Sequence, residues 1–320
     1  MNPVLEVKDL EVSVKTENKM ITLVSDIHFM VNKGETIGIV GESGCGKSIT
    51  SLSVIGLLPA NAKISKGSIR LNDKELVKLS KKEMRKVRGK EVSMIFQEPM
   101  TSLNPVYTIG YQIIEMICSH TKISKAEAKR QAVSLLELVG IPRAEEVVDE
   151  YPHQLSGGMR QRVMIAMAMS CNPQVLIADE PTTALDVTIQ AQILELMKDL
   201  QKKRDMSIIM ITHDLGVVAE VCNRVVVMYA GQVVEEADVE ELFENPKHPY
   251  TKGLLASIPN MDEEVEFLPS IQGTVPSADQ MPKGCRFADR CPNVFSKCLE
   301  FEPALLATAN SKCRCWLYQS

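Results

Sequence analysis

The stretch Gly41-Glu-Ser-Gly-Cys-Gly-Lys-Ser48 fits the pattern G-x-x-x-x-G-K-[S/T], and its surroundings are those that the pattern requires. The apolar run Thr36-Ile-Gly-Ile-Val40 before it predicts a strand, and residues 49–58 after it show helical periodicity. Glycines let such a loop turn its N–H groups toward phosphate oxygens, at the positive end of the following helix. The stretch therefore predicts a strand, loop and helix that cradle the phosphates of a nucleotide.

The side chains of this loop have separate predicted tasks. Lys47 is expected to reach the terminal phosphates, and Ser48 is expected to bind Mg²⁺. Cys45 occupies a free position of the pattern, so we interpret it as a loop residue, with a reactive thiol beside the nucleotide as the alternative. The predicted nucleotide contacts are Gly41, Glu42, Ser43, Gly44, Cys45, Gly46, Lys47, Ser48 and Ile49.

Short apolar runs alternate with helical patterns along most of the chain, which predicts an α/β domain with a largely parallel sheet. Besides the strand before the loop, the predicted strands are residues 92–96, 175–178, 208–211 and 225–229. The clearest predicted helices are residues 126–139 and 188–204. Residues 105–152 are nearly all helical in pattern, with Ile113, Ile114 and Ile117 on one face. We therefore expect a helical subdomain at about residues 104–170, inserted into the sheet domain.

Polar side chains follow three of these predicted strands. The run Val175-Leu-Ile-Ala-Asp179-Glu180 ends in two carboxylates. Asp179 is expected to hold Mg²⁺ through its water shell, and Glu180 to orient or deprotonate the attacking water. His213 and Gln97 also follow strands, and we expect them near the γ-phosphate, because ligands sit at the carboxyl ends of parallel strands. Each signal alone is weak, since strand-end acids often cap loops and lone histidines are more often structural.

A second glycine-containing stretch, Leu155-Ser-Gly-Gly-Met-Arg-Gln-Arg162, leads into an apolar helical pattern. Ser156 is a typical N-cap, and the two glycines expose N–H groups at the start of the helix. This predicts another anion-binding helix end. A capped helix with a simple glycine turn is the alternative that these residues leave open.

Composition narrows the class of protein. The 320 residues are 45% hydrophobic and 24% charged, with a net charge of -5, which is ordinary for a globular protein with a substantial core. The acidic balance argues against nucleic acid as the main partner. The first residues lack the basic region and apolar run of a secretory signal, and the longest apolar runs fall short of the roughly 20 residues that span a bilayer. We therefore expect the chain in the cytoplasm.

The last part of the chain differs from the rest. Alternation of strands and helices fades after Gly231, and eight prolines punctuate the remainder. We expect a boundary near residues 235–260, with one domain at 1–235 and a small cysteine-rich extension at 236–320. Five of the nine cysteines fall in the extension, namely Cys285, Cys291, Cys298, Cys313 and Cys315.

Because thiols of a cytosolic protein stay reduced, the clustered cysteines point to a soft metal or an iron–sulfur cluster. Zinc is one alternative, although the spacing lacks the paired C-x2-C of a zinc ribbon. An inert set of reduced cysteines is the other.

Taken together, the motifs resemble those of the ABC ATPases. The matching elements, in the expected order, are Gly41–Ser48, Gln97, the signature stretch Leu155–Gln161, Asp179–Glu180, Ala184-Leu-Asp186 and His213. The resemblance covers about residues 1–235 and implies a P-loop NTPase cassette bound to ATP and Mg²⁺. It also implies a head-to-tail dimer, in which the signature of one subunit completes the ATP site of the other.

The resemblance assigns roles to individual residues. It implies catalytic roles for Lys47, Gln97, Glu180 and His213, contacts to Mg²⁺ from Ser48, Gln97 and Asp179, and nucleotide contacts from Ser156, Gly157, Gly158, Gln161 and Asp186. The family usually has an aromatic residue on the adenine after its first strand. This chain has Val14 there, so we expect only a weak apolar contact with the base.

Three further segments are similar to those of dipeptide and oligopeptide importer ATPases. They are Gln97-Glu-Pro-Met-Thr-Ser-Leu-Asn-Pro105, Asn245-Pro-Lys-His-Pro-Tyr-Thr251 and Gly284-Cys-Arg-Phe-Ala-Asp-Arg-Cys-Pro292. This likeness implies a [4Fe-4S] cluster on Cys285, Cys291, Cys298 and Cys315, spaced C-x5-C-x6-C-x16-C. Cys315 is preferred to Cys313 as the fourth ligand, because the family cysteine precedes an aromatic residue.

The same likeness implies partners and a cargo. The partners would be two transmembrane permease subunits, a second ATPase subunit that is identical or homologous, and an extracytoplasmic peptide-binding protein. The permeases would dock on Asn104–His120, at the cytoplasmic face of the membrane, and the cargo would be short peptides.

Three other interpretations remain open. The first is import of nickel or a metal chelate by the same kind of ATPase. The second is a soluble ABC protein acting on ribosomes or DNA, which usually has two cassettes or a coiled-coil insertion, and this chain has neither. The third is an inactive ATPase, which would be expected to lose Lys47, Glu180 or His213, yet all three are present.

Overall fold

The computed structural model describes residues 3–17, 19–98, 102–183, 185–258 and 270–319. The chain divides into two compact units. The first unit comprises residues 1–31, 36–77 and 210–320, and the second comprises residues 32–35 and 78–209. The division expected from the sequence at residues 235/236 falls inside the first unit and stays a prediction.

An antiparallel sheet begins the first unit. Its strands are β1 (Leu5–Lys15), β2 (Met20–Val31), β4 (Ala62–Leu71) and β5 (Lys74–Glu75), in the spatial order β2-β1-β4-β5. Leu5 pairs with both Val31 and Leu71, and all three side chains are fully buried. Of these strands, only β1 is expected, as the first strand that the family resemblance implies near Val14; half-buried residues interrupt the apolar alternation of β2 and β4.

A second sheet of the first unit leads to the phosphate loop. Its strands are β3 (Thr36–Val40), β9 (Arg224–Tyr229), β10 (Gln232–Asp238), β11 (Leu306–Ala307) and β12 (Ser311–Cys313), in the spatial order β11-β12-β10-β9-β3. β3 and β9 are parallel, with Val40 opposite Val227. Both residues belong to one buried core with Tyr229, Tyr250 and Phe287. The C-terminal segment therefore helps to build the core behind the strand that precedes the loop.

Regular structure continues beyond Gly231, where the sequence led us to expect it to fade. The helices of the first unit are α1 (Lys47–Ile55), α8 (Leu215–Val221), α9 (Val239–Glu244), α10 (Pro249–Ala256) and α11 (Ser296–Glu300).

Strand β10 was missed because two consecutive acids, Glu235 and Glu236, are typical of a loop. Both are buried. The carboxylate of Glu235 accepts hydrogen bonds from the backbone N–H groups of Lys247 and His248 at 2.7 and 2.9 Å, and Glu236 pairs with Lys312 at 3.0 Å. These partners make the burial of charge tolerable, and they lie too far along the chain for a local pattern to reveal them.

The second unit contains the strands predicted at residues 92–96, 175–178 and 208–211. They are β6 (Val92–Ile95), β7 (Val175–Asp179) and β8 (Ser207–Ile211), the last of which ends in the first unit. β6 and β7 are parallel, with Ile95 opposite Ala178. Their carboxyl ends therefore lie side by side.

Several helices of the second unit lie between β6 and β7 along the chain, where the sequence analysis expects a helical subdomain. The helices of the second unit are α2 (Lys81–Val87), α3 (Ile109–His120), α4 (Lys125–Leu138), α5 (Ala144–Val147), α6 (Gly157–Met169) and α7 (Val187–Arg204). Ile113 and Ile117 on α3 are fully buried, as are Ala132 and Leu136 on the neighbouring α4. Two members of the apolar face expected on α3, Ile113 and Ile117, thus belong to the core of these helices, whereas Ile114 is half-buried.

Candidate nucleotide site and thiol pocket

The phosphate loop is folded around its own lysine. The ammonium of Lys47 donates to the carbonyl oxygens of Gly41 and Glu42 at 2.6 and 3.1 Å, and its side chain is buried. Gly46 adopts a left-handed backbone conformation and directly precedes α1, which carries Lys47 and Ser48 in its first turn. The predicted phosphate cradle is thus present in shape, with N–H groups at the start of a helix.

Gly41 is the most constrained residue of the loop. Its φ is +148°, and a Cβ atom there would lie 2.2 Å from the carbonyl oxygen of Met228 and 2.7 Å from the sulfur of Cys45. Gly44 also has a positive φ, +80°, but a Cβ atom there would have no neighbour within 4 Å. The structure thus requires glycine at Gly41, which the pattern also demands, far more strictly than at Gly44, which stands at a free position of the pattern.

Cys45 is an internal residue of the loop. Its side chain is fully buried, and its sulfur lies 3.8 Å from the ammonium of Lys47. Burial raises the pKa of the thiol above its usual value, and the charge of Lys47 offsets this only in part. Because the thiolate is the reactive form, this environment favours the structural interpretation of Cys45 over the reactive one.

Glu42 makes contacts that the sequence did not suggest. Its backbone N–H donates to the hydroxyl of Tyr250 at 2.9 Å. Its carboxylate accepts two hydrogen bonds from the guanidinium of Arg290, at 2.7 and 3.0 Å. In the sequence, Tyr250 and Arg290 stand out only as parts of family-like segments, and no local signal links either to the loop.

In the second unit, the structure brings Gln97 and Glu180 together. The side-chain amide of Gln97 donates to the carboxylate of Glu180 at 2.8 Å, and the hydroxyl of Thr183 donates to the same oxygen at 2.9 Å. Glu180 has a left-handed φ of +49°, which is uncommon outside glycine, while Asp179 is buried at the end of β7. Two donors and a strained backbone hold this carboxylate in one place.

The signature stretch forms a capped helix start, also in the second unit. The hydroxyl of Ser156 accepts a hydrogen bond from the N–H of Met159 at 3.3 Å, and a Cβ atom at Gly157 would meet nothing within 4 Å. Gln161 is buried, and its amide donates to the carbonyl of Pro181. The predicted nucleotide contacts of Ser156, Gly157, Gly158 and Gln161 stay predictions.

Three more predicted residues can be placed. Asp186 caps α7 by accepting the N–H of Ile189 at 3.0 Å, and Ala184 lies outside the described residues, as do residues 99–101 of the family-like segment. His213 is exposed in the first unit, directly before the residue that caps α8. Val14 is half-buried near the end of β1. Their roles toward a nucleotide stay predictions.

Four cysteines of the C-terminal segment line one narrow pocket, which we call the thiol pocket. The cysteines are Cys285, Cys291, Cys298 and Cys315, and His248, Phe287 and Trp316 also line it. Burial raises the pKa of the Cys285 thiol to about 11, with smaller contributions from Cys298, Cys315 and Cys291. The mutual electrostatic effect of the four thiols reflects how close they are.

Cys313 lies outside this pocket. It sits on β12, where it pairs with Glu235 and Leu306, and burial raises the pKa of its thiol. Across the described part of the chain, no group of three or more His, Cys, Asp or Glu residues is arranged to hold a single metal ion.

Helices long and apolar enough to cross a membrane do not occur among the described residues.

Comparison with known families gives two matches. Residues 24–183 match the family model described as ABC transporter, and residues 234–298 match the one described as the C-terminal region of oligopeptide/dipeptide transporters. The second match covers most of the segment that includes Cys285, Cys291 and Cys298.

Similar proteins are found along the whole chain. The oligopeptide transport ATP-binding protein AppD of Bacillus subtilis is 57% identical over 100% of this chain and 98% of its own length. The dipeptide transport ATP-binding protein DppD of the same organism is 53% identical, over 99% of this chain and 95% of its own length. DppD of Haemophilus influenzae is 50% identical, over 97% and 94%.

Two solved structures are also similar. A dimeric structure of the ATP-binding cassette MJ0796, described as a post-hydrolysis state bound to ADP and Pi, is 26% identical with a TM-score of 0.66 and covers 73% of this chain and 98% of its own. The protein cbiO1 of Clostridium perfringens, part of the ABC transporter complex cbiONQ, is 28% identical with a TM-score of 0.66, over 77% and 92%.

Proposed function

We propose a mechanism that starts from one premise: this chain belongs to the ABC transporter ATP-binding proteins of the oligopeptide and dipeptide type. It binds and hydrolyses ATP with Mg²⁺, and the energy drives uptake of dipeptides or oligopeptides across the cytoplasmic membrane. The observation that carries the hydrolytic part is the carboxylate of Glu180, fixed by Gln97 and Thr183 at the carboxyl ends of two parallel strands.

In the proposed mechanism, each residue of the ATP site has its own role. The N–H groups of the phosphate loop and the ammonium of Lys47 bind the phosphates, for which Lys47 leaves the carbonyl oxygens of Gly41 and Glu42. Ser48, Gln97 and Asp179 would hold Mg²⁺, which would neutralise charge on the phosphate oxygens. Glu180 orients the attacking water and accepts its proton, and Gln97 and His213 position the γ-phosphate and the water.

The substitution Glu180→Gln tests this mechanism, because it keeps the shape of the side chain and removes the base. ATP binding is expected to stay within about twofold, and turnover to fall by about 10²–10⁴-fold. Glu220→Gln, an exposed position on α8, is the matched control and should leave both unchanged. Unchanged turnover in Glu180→Gln would remove Glu180 from the catalytic role.

The remaining partners follow from the family. A second ATPase subunit, identical or homologous, supplies Ser156, Gly157, Gly158, Gln161 and Asp186 to the ATP site of this one. Two permease subunits dock on residues 104–120, where Tyr107 and Tyr111 stack with ring centres 4.5 Å apart and both are exposed. The chain is then peripheral at the cytoplasmic face, and an extracytoplasmic peptide-binding protein delivers the cargo.

The thiol pocket is the proposed site of a [4Fe-4S] cluster. Four thiols around one enclosed space fit the ligand set of such a cluster, and the apolar lining from Phe287 and Trp316 shields it from water. When bound, the cluster ties Cys285, Cys291, Cys298 and Cys315 together and supplies a centre that can change by one electron. We also keep residues 236–320 as a proposed separate segment, which the family match from residue 234 supports.

Anaerobic purification tests this assignment. Iron and acid-labile sulfide in equal amounts, about four of each per chain, are the expected result. A colourless protein that contains zinc and no labile sulfide would contradict it.

A further inference from the structure

Glu42 brings a negative charge into the loop that has to bind the phosphates of ATP. The carboxylate is about one-third exposed, so water screens its charge only in part. An unpaired carboxylate in this place would repel the anionic phosphates. The pairing of Glu42 is therefore a condition for tight nucleotide binding.

The C-terminal segment supplies the pairing charge. Arg290 is 4% exposed and binds both oxygens of the Glu42 carboxylate, in the bidentate geometry that makes such pairs strong. The guanidinium also donates to the carbonyl oxygens of Ile271 and Gln272, at 3.2 and 2.9 Å, and lies over the ring of Tyr229. Arg290 is thus held on several sides and can fix Glu42 without moving itself.

The same segment also holds the backbone of Glu42. The Tyr250 hydroxyl accepts the N–H of Glu42, and the Tyr250 ring is fully buried against Tyr229 and Phe287. Burial raises the pKa of Tyr250, so the hydroxyl stays neutral. This hydrogen bond therefore directs the backbone N–H group of Glu42 toward the C-terminal segment.

We propose that Arg290 and Tyr250 are positioning residues for the phosphate loop, so that the C-terminal segment sets the affinity of the chain for ATP. Arg290 cancels the charge of Glu42, and Tyr250 holds its backbone. The inference rests on the proposed function. It extends that function, because Arg290 directly precedes Cys291 of the thiol pocket, and the folding of the pocket segment therefore decides where Arg290 lies.

The main test is Arg290→Met in the full-length chain, with binding of Mg·ATP measured in the Glu180→Gln background so that no nucleotide is consumed. The Kd for Mg·ATP is expected to rise about tenfold, since the phosphate loop then carries an unpaired carboxylate. With Glu180 intact, KM should rise while kcat changes little. The increase in Kd should shrink at 1 M salt, where charges are screened within about 3 Å.

A second substitution separates charge from structure. In the double variant Glu42→Gln with Arg290→Met, no unpaired charge remains, so the Kd should return to within about threefold of the parent. Glu42→Gln alone should bind Mg·ATP at least as tightly as the parent, which keeps the proposal testable if Arg290→Met fails to fold. Tyr250→Phe should raise the Kd by a factor that salt does not change. Lys283→Met, an exposed position of the same segment, is the control and should leave the Kd unchanged.

The outcomes that overturn the proposal are specific. An unchanged Kd in Arg290→Met, or a double variant that binds as weakly as Arg290→Met alone, would show that Arg290 does not act through the charge of Glu42. Neither result would touch the proposed function, which fails instead if the parent protein does not bind Mg·ATP or if Lys47→Ala binds it equally well.

Discussion

The phosphate loop and the thiol pocket belong to the same unit but are built from different parts of the chain. The loop uses the backbone of eight consecutive residues, Gly41–Ser48, whereas the pocket uses four side chains spread over residues 285–315. A site made of backbone depends on the conformations that glycine allows, and its free positions accept many side chains. A site made of thiols depends on each sulfur and on the packing that gathers them. The same residue type, cysteine, should therefore matter little in one region and decisively in the other.

The largest effect is expected from a change in the loop backbone. Gly41→Ala puts a Cβ atom 2.2 Å from the carbonyl oxygen of Met228, so the loop has to move, and ATP affinity should fall by more than about 100-fold. Gly44→Ala is the matched control, because its Cβ atom has open space and the cost is limited to about 1–2 kcal/mol of left-handed strain. Isothermal titration with Mg·ATP compares the two, and circular dichroism checks folding. Equal losses of ATP affinity in both variants would mean that the contacts of Gly41 with Met228 and Cys45 do not constrain the loop.

An intermediate effect is expected from a change in one sulfur of the thiol pocket. Cys315→Ser should lose the cluster, with iron and labile sulfide falling together, and should lower the midpoint of thermal unfolding, because bound clusters stabilise the fold that binds them. Cys313→Ser is the matched control, since Cys313 lies on β12 outside the pocket. Iron and sulfide analysis of both variants shows which of the two cysteines the cluster needs. Loss of the cluster in Cys313→Ser alone would make Cys313 the fourth ligand.

The smallest effect is expected from the cysteine of the loop. Cys45→Ser should change the Kd for Mg·ATP by less than about threefold, because the side chain fills a free position of the pattern. In the parent, Cys45 should react slowly with iodoacetamide at pH 7, and its rate should rise about tenfold per pH unit, since its pKa is raised and only the thiolate reacts. Mass spectrometry of each cysteine measures this. Rapid labelling at pH 7 that ATP prevents would restore the reactive interpretation.

Much of the loop and its setting could be predicted because the relevant residues are neighbours in sequence. The strand before Gly41, the helix after Ser48 and the parallel pair β6 and β7 all follow from local apolar patterns. The meeting of Gln97 with Glu180 follows in turn, because both side chains stand at the carboxyl ends of those paired strands.

The contacts of the C-terminal segment could not be predicted in this way. Arg290 and Tyr250 reach Glu42 across more than 200 positions of sequence, and β10 contains two acids whose partners come from other elements. Patterns of three or four residues cannot report such pairings. A buried charge is tolerated only when it has a partner, and here the tertiary fold supplies that partner from a distant part of the chain. Resemblance to a family pointed to the cysteines, but it did not point to the arginine between them.

The first unit joins residues 1–31 and 36–77 to residues 210–320, and this division has a consequence for the order of events on the ribosome. The phosphate loop leaves the exit tunnel early, long before Met228, Tyr250 and Arg290 have been synthesised. Most of the second unit, residues 78–209, is continuous and can fold while translation goes on. A nascent chain therefore carries the phosphate-loop pattern for most of its synthesis without the residues that contact the loop. The contacts that Met228, Tyr250 and Arg290 make with the loop form only once the last part of the polypeptide has been made.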